Sequence, residues 1–287
     1  MLTNTFCHIP GVGLRTEQQL WSLGIHSWDD LFRTVPGGLS LRNARRRSLI
    51  YHIERSIEHL HAQNPQYFEG LLPSNQQWRL FPDFRESIAY LDIETTGMGP
   101  PDDHITTISL YDGKSVFYYV NGWNLDELEK DIQRYRVLVT YNGKCFDIPF
   151  IRNDLGIDLG QAHIDLRYLL RSLGYSGGLK GCEKQLGISR DELDGVDGFF
   201  AVLLWRDYQR SGRREALETL LAYNIQDAVN LEALLVIAYN MKLRETPFAR
   251  THVVRGPAAP NIPFRADVET VERIKRDYLI GERTVEI

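Results

Sequence analysis

Two acidic side chains share one face of a predicted β-strand in the stretch AYLDIETTGMG, residues 89–99. Asp92 and Glu94 lie two residues apart, and side chains at positions i and i+2 of a strand point to the same face, about 7 Å apart. Two negative charges this close repel each other unless a cation lies between them, and divalent cations prefer such oxygen ligands. The pair indicates either a metal site or the solvated face of an antiparallel strand.

Two further stretches contain acidic residues at positions that the fold alone does not require. In TYNGKCFDIPFI, Asp147 lies among apolar residues directly after an apolar strand, so it either caps a helix or binds a ligand. In AYNIQDAVNLEALL, Tyr223 and Asp227 are four residues apart and therefore share one face of a continuous helix. Neither signal is specific alone, and their order along the chain carries the argument.

The order D-x-E, N-x-x-x-F-D and Y-x-x-x-D resembles the DEDD (DnaQ-like) exonucleases of the RNase H-like superfamily, in their tyrosine-bearing branch. The resemblance extends from roughly Ser87 to Leu243. The sister branch has a histidine five residues before the last Asp, where this chain has Ala222. The matching residues are Asp92, Glu94, Asn142, Phe146, Asp147, Tyr223 and Asp227.

This resemblance implies a 3′–5′ exonuclease that uses two Mg²⁺ or Mn²⁺ ions. Asp92, Glu94 and Asp227 would hold the ion that carries the attacking water. Asp92 would also bridge to a second ion, which Asp147 would support partly through water. Tyr223 would orient or deprotonate the water. The chemistry implied is in-line attack on a phosphodiester, with the second ion stabilising the leaving 3′ oxygen.

The implied substrate is single-stranded or frayed DNA or RNA with a free 3′ end, and no motif distinguishes DNA from RNA. Asn142 and Phe146 would either contact the sugar or order their loop, and Asp165 is predicted to have a structural hydrogen-bonding role. The residues expected beside the terminal nucleotide are Thr95, Thr96, Gly97 and Met98. A non-catalytic nucleic-acid binder or scaffold with the same fold, and a structure-specific endonuclease, are the alternatives.

The elements that must position these residues follow the same plan. SIAYLDIETTG, ITTISLYDG and KSVFYYVNG read as three antiparallel strands. A helix, the apolar strand RVLVTYNG and another helix come next, with further helices behind. The predicted fold class is α/β: an RNase H-like mixed sheet of three antiparallel strands plus parallel strands, flanked by helices.

A small all-α module precedes the sheet. IPGVG followed by LRTEQQLW resembles a helix-hairpin-helix, in which backbone N–H groups hold nucleic-acid phosphates. Gly11, Gly13 and Arg15 are the candidate contacts, and Glu17 stands where a small residue is frequent in that motif. Nucleic-acid contact and a purely structural hairpin both stay open. With this module ahead of the nuclease, the layout resembles the YprB-type RNase H-like exonucleases.

The predicted organisation has four parts. Residues 1–38 form the hairpin module, and residues 39–86 a helical basic segment and linker. Residues 87–243 form the exonuclease domain, and residues 244–287 a tail that wraps the surface or is partly disordered. The basic segment contains Arg42, Arg45, Arg46 and Arg47, and the linker has three aromatic anchors, Trp78, Phe81 and Phe84.

Composition bears on the cellular compartment and on how nucleic acid could be bound. Three scattered cysteines without a CxxC pair suggest neither a disulfide framework nor a zinc site, which favours the cytoplasm. The chain shows no leader and no run of about 18 apolar residues, so no membrane association is expected. Its net charge of −5 means that nucleic acid would be held by local basic patches. Protein partners are unknown from the sequence.

Overall fold

The computed structural model describes residues 1–33, 43–97, 103–190, 196–258 and 260–285. Side chains are described throughout these ranges except at residues 43–46 and from residue 279 onward. The predicted boundary at residue 38 and the side chains of Arg42, Arg45 and Arg46 therefore lie outside the described part of the chain.

A five-stranded mixed sheet forms the centre of the fold, with strand order β3-β2-β1-β4-β5. The first three strands are antiparallel neighbours, whereas β4 runs parallel to β1 and β5 runs parallel to β4. This confirms the predicted fold class. The strands are β1 (Ile88–Thr95), β2 (Ile105–Tyr111), β3 (Val116–Val120), β4 (Val137–Thr140) and β5 (Ala162–Asp165).

Helices cover both faces of this sheet. Those before the sheet in the chain are α1 (Leu14–Ser22), α2 (Trp28–Arg33), α3 (Asn43–His61), α4 (Pro65–Leu71) and α5 (Phe81–Phe84). Those between and after the strands are α6 (Glu127–Ile132), α7 (Asp147–Leu155), α8 (Leu166–Arg171), α9 (Gly178–Leu186), α10 (Gly198–Ser211), α11 (Arg214–Leu243) and α12 (Val268–Val285).

The side-chain alternation of β1 assigns its two faces to two hydrophobic cores. Leu91 and Ile93 point into a core shared with Leu128 of α6 and Ile151 of α7. Tyr90 points the other way, into the larger core that contains the apolar side chains of α11. Because side chains alternate along a strand, Asp92 and Glu94 share the α11 side with Tyr90.

The helix α11 is the central helix of the larger core and packs across β1 and β2. It is long and apolar enough by length and composition to cross a membrane, yet 83% of its most apolar window is buried inside the protein. A core helix of a folded domain accounts for this pattern, since a helix that is apolar on all sides needs protein on all sides.

Residues 1–33 pack into the same core as the sheet. The Met1 ammonium group lies 2.8 Å from the Asp83 carboxylate, and the rings of Trp28 and Phe68 stack with their centroids 6.4 Å apart. Residues 1–33 therefore lie against the rest of the chain and share its larger core. The division of the chain at residue 38 stays a prediction.

The linker and the tail contain more secondary structure than the sequence indicated. The predicted anchors Trp78, Phe81 and Phe84 are all at most 2% exposed. The tail includes the helix α12, which the expectation of a surface wrap or partial disorder missed. Its buried apolar residues Val271 and Ile274 lie three apart, the spacing of one helix face, but the prolines upstream concealed the signal.

Candidate active site

Three carboxylates meet where β1 crosses α11. Asp92 and Glu94 project from β1, and Asp227 projects from α11. One oxygen of each lies within 4.8 Å of the others. Glu94 is 8% exposed and Asp227 4%, so these charges are largely withdrawn from water. The strand face and the helix face that the sequence singled out are therefore the same place in the fold.

The helix α11 brings Tyr223 to this group, one turn before Asp227. The Tyr223 side chain is almost fully buried, at 3% exposed. Burial raises the pKa of its hydroxyl well above the usual value, and the nearby charges of Asp227, Glu94 and Asp92 raise it further. The phenol consequently stays protonated at every physiological pH.

Asp147 comes to the same end of the sheet from α7, of which it is the first residue. It is 4% exposed. Burial raises its pKa to about 7, and the negative charge of Asp165 adds to the rise. The charge of Asp147 in turn raises the pKa of Asp92 and of Glu94. Asp147 lies outside the 4.8 Å group and acts on it from its edge.

The electrostatics of the cluster favour a cation. Withdrawal from water raises the pKa of both Asp92 and Glu94 well above the usual range, and the charge of Asp227 raises both further. Buried carboxylates that repel one another are relieved by a divalent ion with oxygen ligands. The donor set, all carboxylate oxygens, suits Mg²⁺ or Mn²⁺ rather than a metal that prefers sulfur or nitrogen.

Asn224 fixes the orientation of Asp92, and the sequence reasoning missed it. Its side-chain N–H donates to Oδ2 of Asp92 at 2.7 Å, while its Oδ1 accepts from the Ser109 hydroxyl at 2.7 Å. Ser109 is the residue of β2 directly opposite Asp92 in the strand register. The Asn224 side chain is fully buried, but α11 also buries Thr219, Asp227, Asn230 and Glu232, so no local pattern singled it out.

Two cations next to Tyr223 were also missed. The Lys180 ammonium lies 4.3 Å from the centre of the Tyr223 ring, and the Arg190 guanidinium carbon lies 5.8 Å from it. Arg190 forms ion pairs with Asp227 and with Glu183. No local pattern reveals these contacts, because the partners belong to different elements far apart in the sequence.

The turn after β1 is held by its own side chains. The Thr95 hydroxyl donates to the Gly97 carbonyl at 2.5 Å. Thr96 exchanges two hydrogen bonds of 2.9 Å with the backbone of His104. A Cβ at Gly97 would clash with the Asp103 carboxylate, so a larger residue there would require the Asp103 side chain to move. Met98 lies outside the described residues, and contact of this turn with a nucleotide stays a prediction.

The loop before α7 is ordered by Asp165. Its carboxylate accepts from the backbone N–H groups of Asn142, Lys144 and Arg167 at 2.8 to 3.1 Å, which agrees with its predicted structural role. Asn142 adopts a positive φ of 68°, and its side-chain oxygen accepts from Arg167. The Phe146 ring packs on Phe150, with the ring centres 5.6 Å apart. Both residues order this loop, and their contact with a sugar stays a prediction.

The loop before α1 is accessible to solvent, whereas Glu17 within α1 is buried and tightly bound. Gly11, Gly13 and Arg15 are exposed, as a backbone-binding hairpin requires. Glu17, fully buried, accepts two hydrogen bonds of 2.8 Å from the Arg79 guanidinium. It also accepts from two N–H groups of the preceding loop. Glu17 therefore attaches α1 to the linker.

The family of the chain follows from its sequence and agrees with this architecture. A family model described as RNase_H superfamily matches residues 89–239, over half of the 287 residues. The chain therefore belongs to the RNase H superfamily, and the matched region contains all of the sheet except Ile88, the carboxylate cluster and most of α11. No curated protein matches the sequence significantly.

Two solved structures, a polymerase and an EXO domain, resemble part of this chain. The family B DNA polymerase from the hyperthermophilic archaeon Pyrobaculum calidifontis is 16% identical with a TM-score of 0.41, and the match covers 58% of this chain but only 27% of the polymerase chain. The EXO domain of Aedes aegypti Nibbler is 15% identical with a TM-score of 0.40, over 59% of this chain and 85% of that chain. Neither similarity assigns an activity to this chain.

Proposed function

We propose that this protein is a divalent-metal-dependent 3′–5′ exonuclease of the tyrosine-bearing DEDD type, acting on single-stranded or frayed DNA or RNA. The observation that carries the proposal is the meeting of Asp92, Glu94 and Asp227 within 4.8 Å, with Tyr223 one helical turn from Asp227. A carboxylate cluster beside a buried tyrosine, in a member of the RNase H superfamily, supports phosphodiester hydrolysis better than simple binding.

The acids divide into two overlapping ligand sets. Asp92, Glu94 and Asp227 would hold one Mg²⁺ or Mn²⁺ ion, and Asp92 with Asp147 would hold the second. When bound, the two ions supply the Lewis acidity that two-metal phosphodiesterases use on the attacking and leaving oxygens. The carboxylates fix the geometry, and Asn224 prevents rotation of Asp92 through its 2.7 Å hydrogen bond.

Tyr223 acts as a hydrogen-bonding group. A tyrosine hydroxyl is ordinarily protonated at neutral pH, and burial raises the pKa of this one further, so it would serve as a hydrogen-bonding group rather than as a base. Its hydroxyl would therefore hold the attacking water in line with the scissile bond. The burial of the ring against Lys180 and Arg190 limits its movement.

The substrate strand would enter past the turn after β1 and the loop before α7. In this arrangement the terminal nucleotide lies on the turn, and the preceding nucleotides follow the loop. The residues proposed for these contacts are Thr95, Thr96, Gly97, Met98, Asn142 and Phe146. The exposed hairpin tip would hold more distant backbone through N–H groups.

The experiment compares three substrates in Mn²⁺: a 5′-labelled linear DNA strand, the matching RNA strand, and a closed DNA circle. The proposal expects products shortened one nucleotide at a time from the 3′ end of a linear strand, and an intact circle. Asp227→Asn should be inactive, while Asp126→Asn, an exposed acid ahead of α6, should retain the parent rate. Cleavage of the circle would indicate an endonuclease, and binding without cleavage a non-catalytic protein.

The hairpin is tested by a point substitution, because deletion of residues 1–33 would open the shared core. Arg15→Glu should weaken binding to a long strand and reduce the slope of log affinity against log salt by about 1. Cleavage of a short substrate should remain at the parent rate. Arg276→Glu, on the exposed side of α12, is the control. An unchanged salt slope in Arg15→Glu would make the hairpin a structural element.

A further inference from the structure

The Arg190 guanidinium connects the candidate metal centre to the helix α9. Its side chain is only 8% exposed. Nε and Nη2 donate to the Glu183 carboxylate at 2.5 and 2.7 Å, and Nη1 forms an ion pair with Oδ1 of Asp227. One buried cation therefore binds two carboxylates, and one of these belongs to the acidic cluster.

The contact with Glu183 is anchored independently. Glu183, 1% exposed, also accepts from the Asn230 side chain at 2.9 Å. The Asn230 oxygen in turn accepts from Gln226 at 2.7 Å. These bonds fix Glu183 against α11 without involving Asp227. Of the two ion pairs of Arg190, the one with Asp227 can be exchanged without disturbing this network.

A divalent ion at the carboxylate cluster competes with Arg190 in two ways. The Asp227 oxygen that faces Nη1 cannot point the same lone pair at both the guanidinium and a metal. A unit positive charge a few ångströms from a divalent ion also repels it, and the repulsion is strong because water is largely excluded. Both effects oppose metal binding as long as Arg190 remains on Asp227.

We propose that Arg190 is the resident counter-ion of Asp227 in the metal-free protein, and that metal loading displaces it from Asp227. In the metal-free state it offsets part of the repulsion among the buried acids. When metal is present, Glu183 retains the guanidinium beside Tyr223. Arg190 thereby sets the metal concentration at which the centre becomes loaded. This inference rests on the proposed function, because it requires the carboxylate cluster to be a metal site.

The test is a calorimetric titration of Mn²⁺ into the full chain without substrate. Arg190→Gln should bind Mn²⁺ about tenfold more tightly than the parent, since both the competitor and its charge are gone. Arg190→Lys cannot keep the forked contact with Glu183 while reaching Asp227, so its affinity should lie between the two. Arg273→Gln is the matched control: it breaks an ion pair with Asp207, which is not part of the cluster, and should leave the affinity unchanged.

A second readout uses thermal unfolding in chelator. Arg190→Gln should melt at a lower temperature than the parent without metal, and Mn²⁺ should raise its melting temperature by more. Loss of a merely structural arginine would also lower the melting temperature in chelator, but Mn²⁺ would then raise it by no more than in the parent, because loosening α9 would weaken metal binding. Equal or weaker Mn²⁺ affinity in folded Arg190→Gln and Arg190→Lys would overturn the inference.

This experiment separates the inference from the function on which it rests. If Asp227→Asn loses Mn²⁺ binding while both Arg190 variants bind as the parent does, the metal site stands and the role of Arg190 is wrong. If the parent itself binds no Mn²⁺, the metal site and the inference both fail.

Discussion

Asp147→Asn should stabilise the metal-free protein more at pH 8 than at pH 5. Asp147 is 4% exposed, and burial raises its pKa from 3.8 to about 7. The folded protein therefore holds this proton more tightly than the unfolded chain does. The penalty for ionising the group is absent below about pH 4, grows as the pH rises towards 7, and is constant above that.

The magnitude follows from the two pKa values. Each unit between them costs about 1.4 kcal/mol of folding free energy, so the full penalty at pH 8 is about 4 kcal/mol. At pH 5, which lies about 1.2 units above the unfolded pKa of 3.8, the penalty is about 1.6 kcal/mol. Asparagine carries no such penalty. Relative to the parent, the variant should therefore gain about 2.5 kcal/mol more at pH 8 than at pH 5.

The assay is urea unfolding in chelator at both pH values, for the parent, Asp147→Asn and the exposed-acid control Asp126→Asn. Comparing the gain at two pH values cancels any effect of the amide that does not depend on pH. The free energy of unfolding of Asp126→Asn should match that of the parent at both pH values. If the difference between Asp147→Asn and the parent were the same at pH 5 and pH 8, Asp147 would not be held protonated by its burial, and the reasoning would be refuted.

Three more predictions concern single side chains. Tyr223→Phe should keep Mn²⁺ affinity within about threefold of the parent while single-turnover cleavage falls by about 10² to 10⁴; loss of the metal would contradict the proposed role. Asn224→Ala should weaken Mn²⁺ binding by about tenfold or more, because Asp92 loses its orienting hydrogen bond; unchanged calorimetry would show that Asp92 needs no such support. Glu17→Ala should lower the free energy of unfolding by about 3 to 5 kcal/mol, because Arg79 keeps a buried charge without its partner; a loss below about 1 kcal/mol in urea unfolding would contradict this.

The predictable parts of the structure are those whose sequence pattern lies within a single helix or strand. The period-two alternation of β1 puts Asp92 and Glu94 on one face, and the spacing of four residues puts Tyr223 and Asp227 on one face of α11. Both relations depend only on the geometry of a single element. The order of the strands along the chain then gave the sheet, since neighbouring antiparallel strands need only short turns.

The parts that could not be predicted depend on contacts between distant elements. Arg190 reaches Asp227 from beyond the end of α9, and nothing near either residue indicates the pair. The ion pair of Glu17 was equally hidden, because its partner Arg79 lies in the linker. The helix α12 had an amphipathic pattern but stood in a tail that its prolines made look irregular. Tertiary packing decided the first two cases, whereas the local pattern of α12 was present and was overlooked.

The most direct test of the central claim is cleavage of one 5′-labelled single strand by the purified parent and by Asp92→Asn, each with Mn²⁺ and with chelator. The account predicts stepwise shortening from the 3′ end by the parent in Mn²⁺ alone, and no shortening by the variant in either condition. Circular dichroism of both proteins verifies that the variant is folded. Shortening by Asp92→Asn at the parent rate, or by the parent in chelator, would show that this carboxylate cluster is not a metal-dependent nuclease centre.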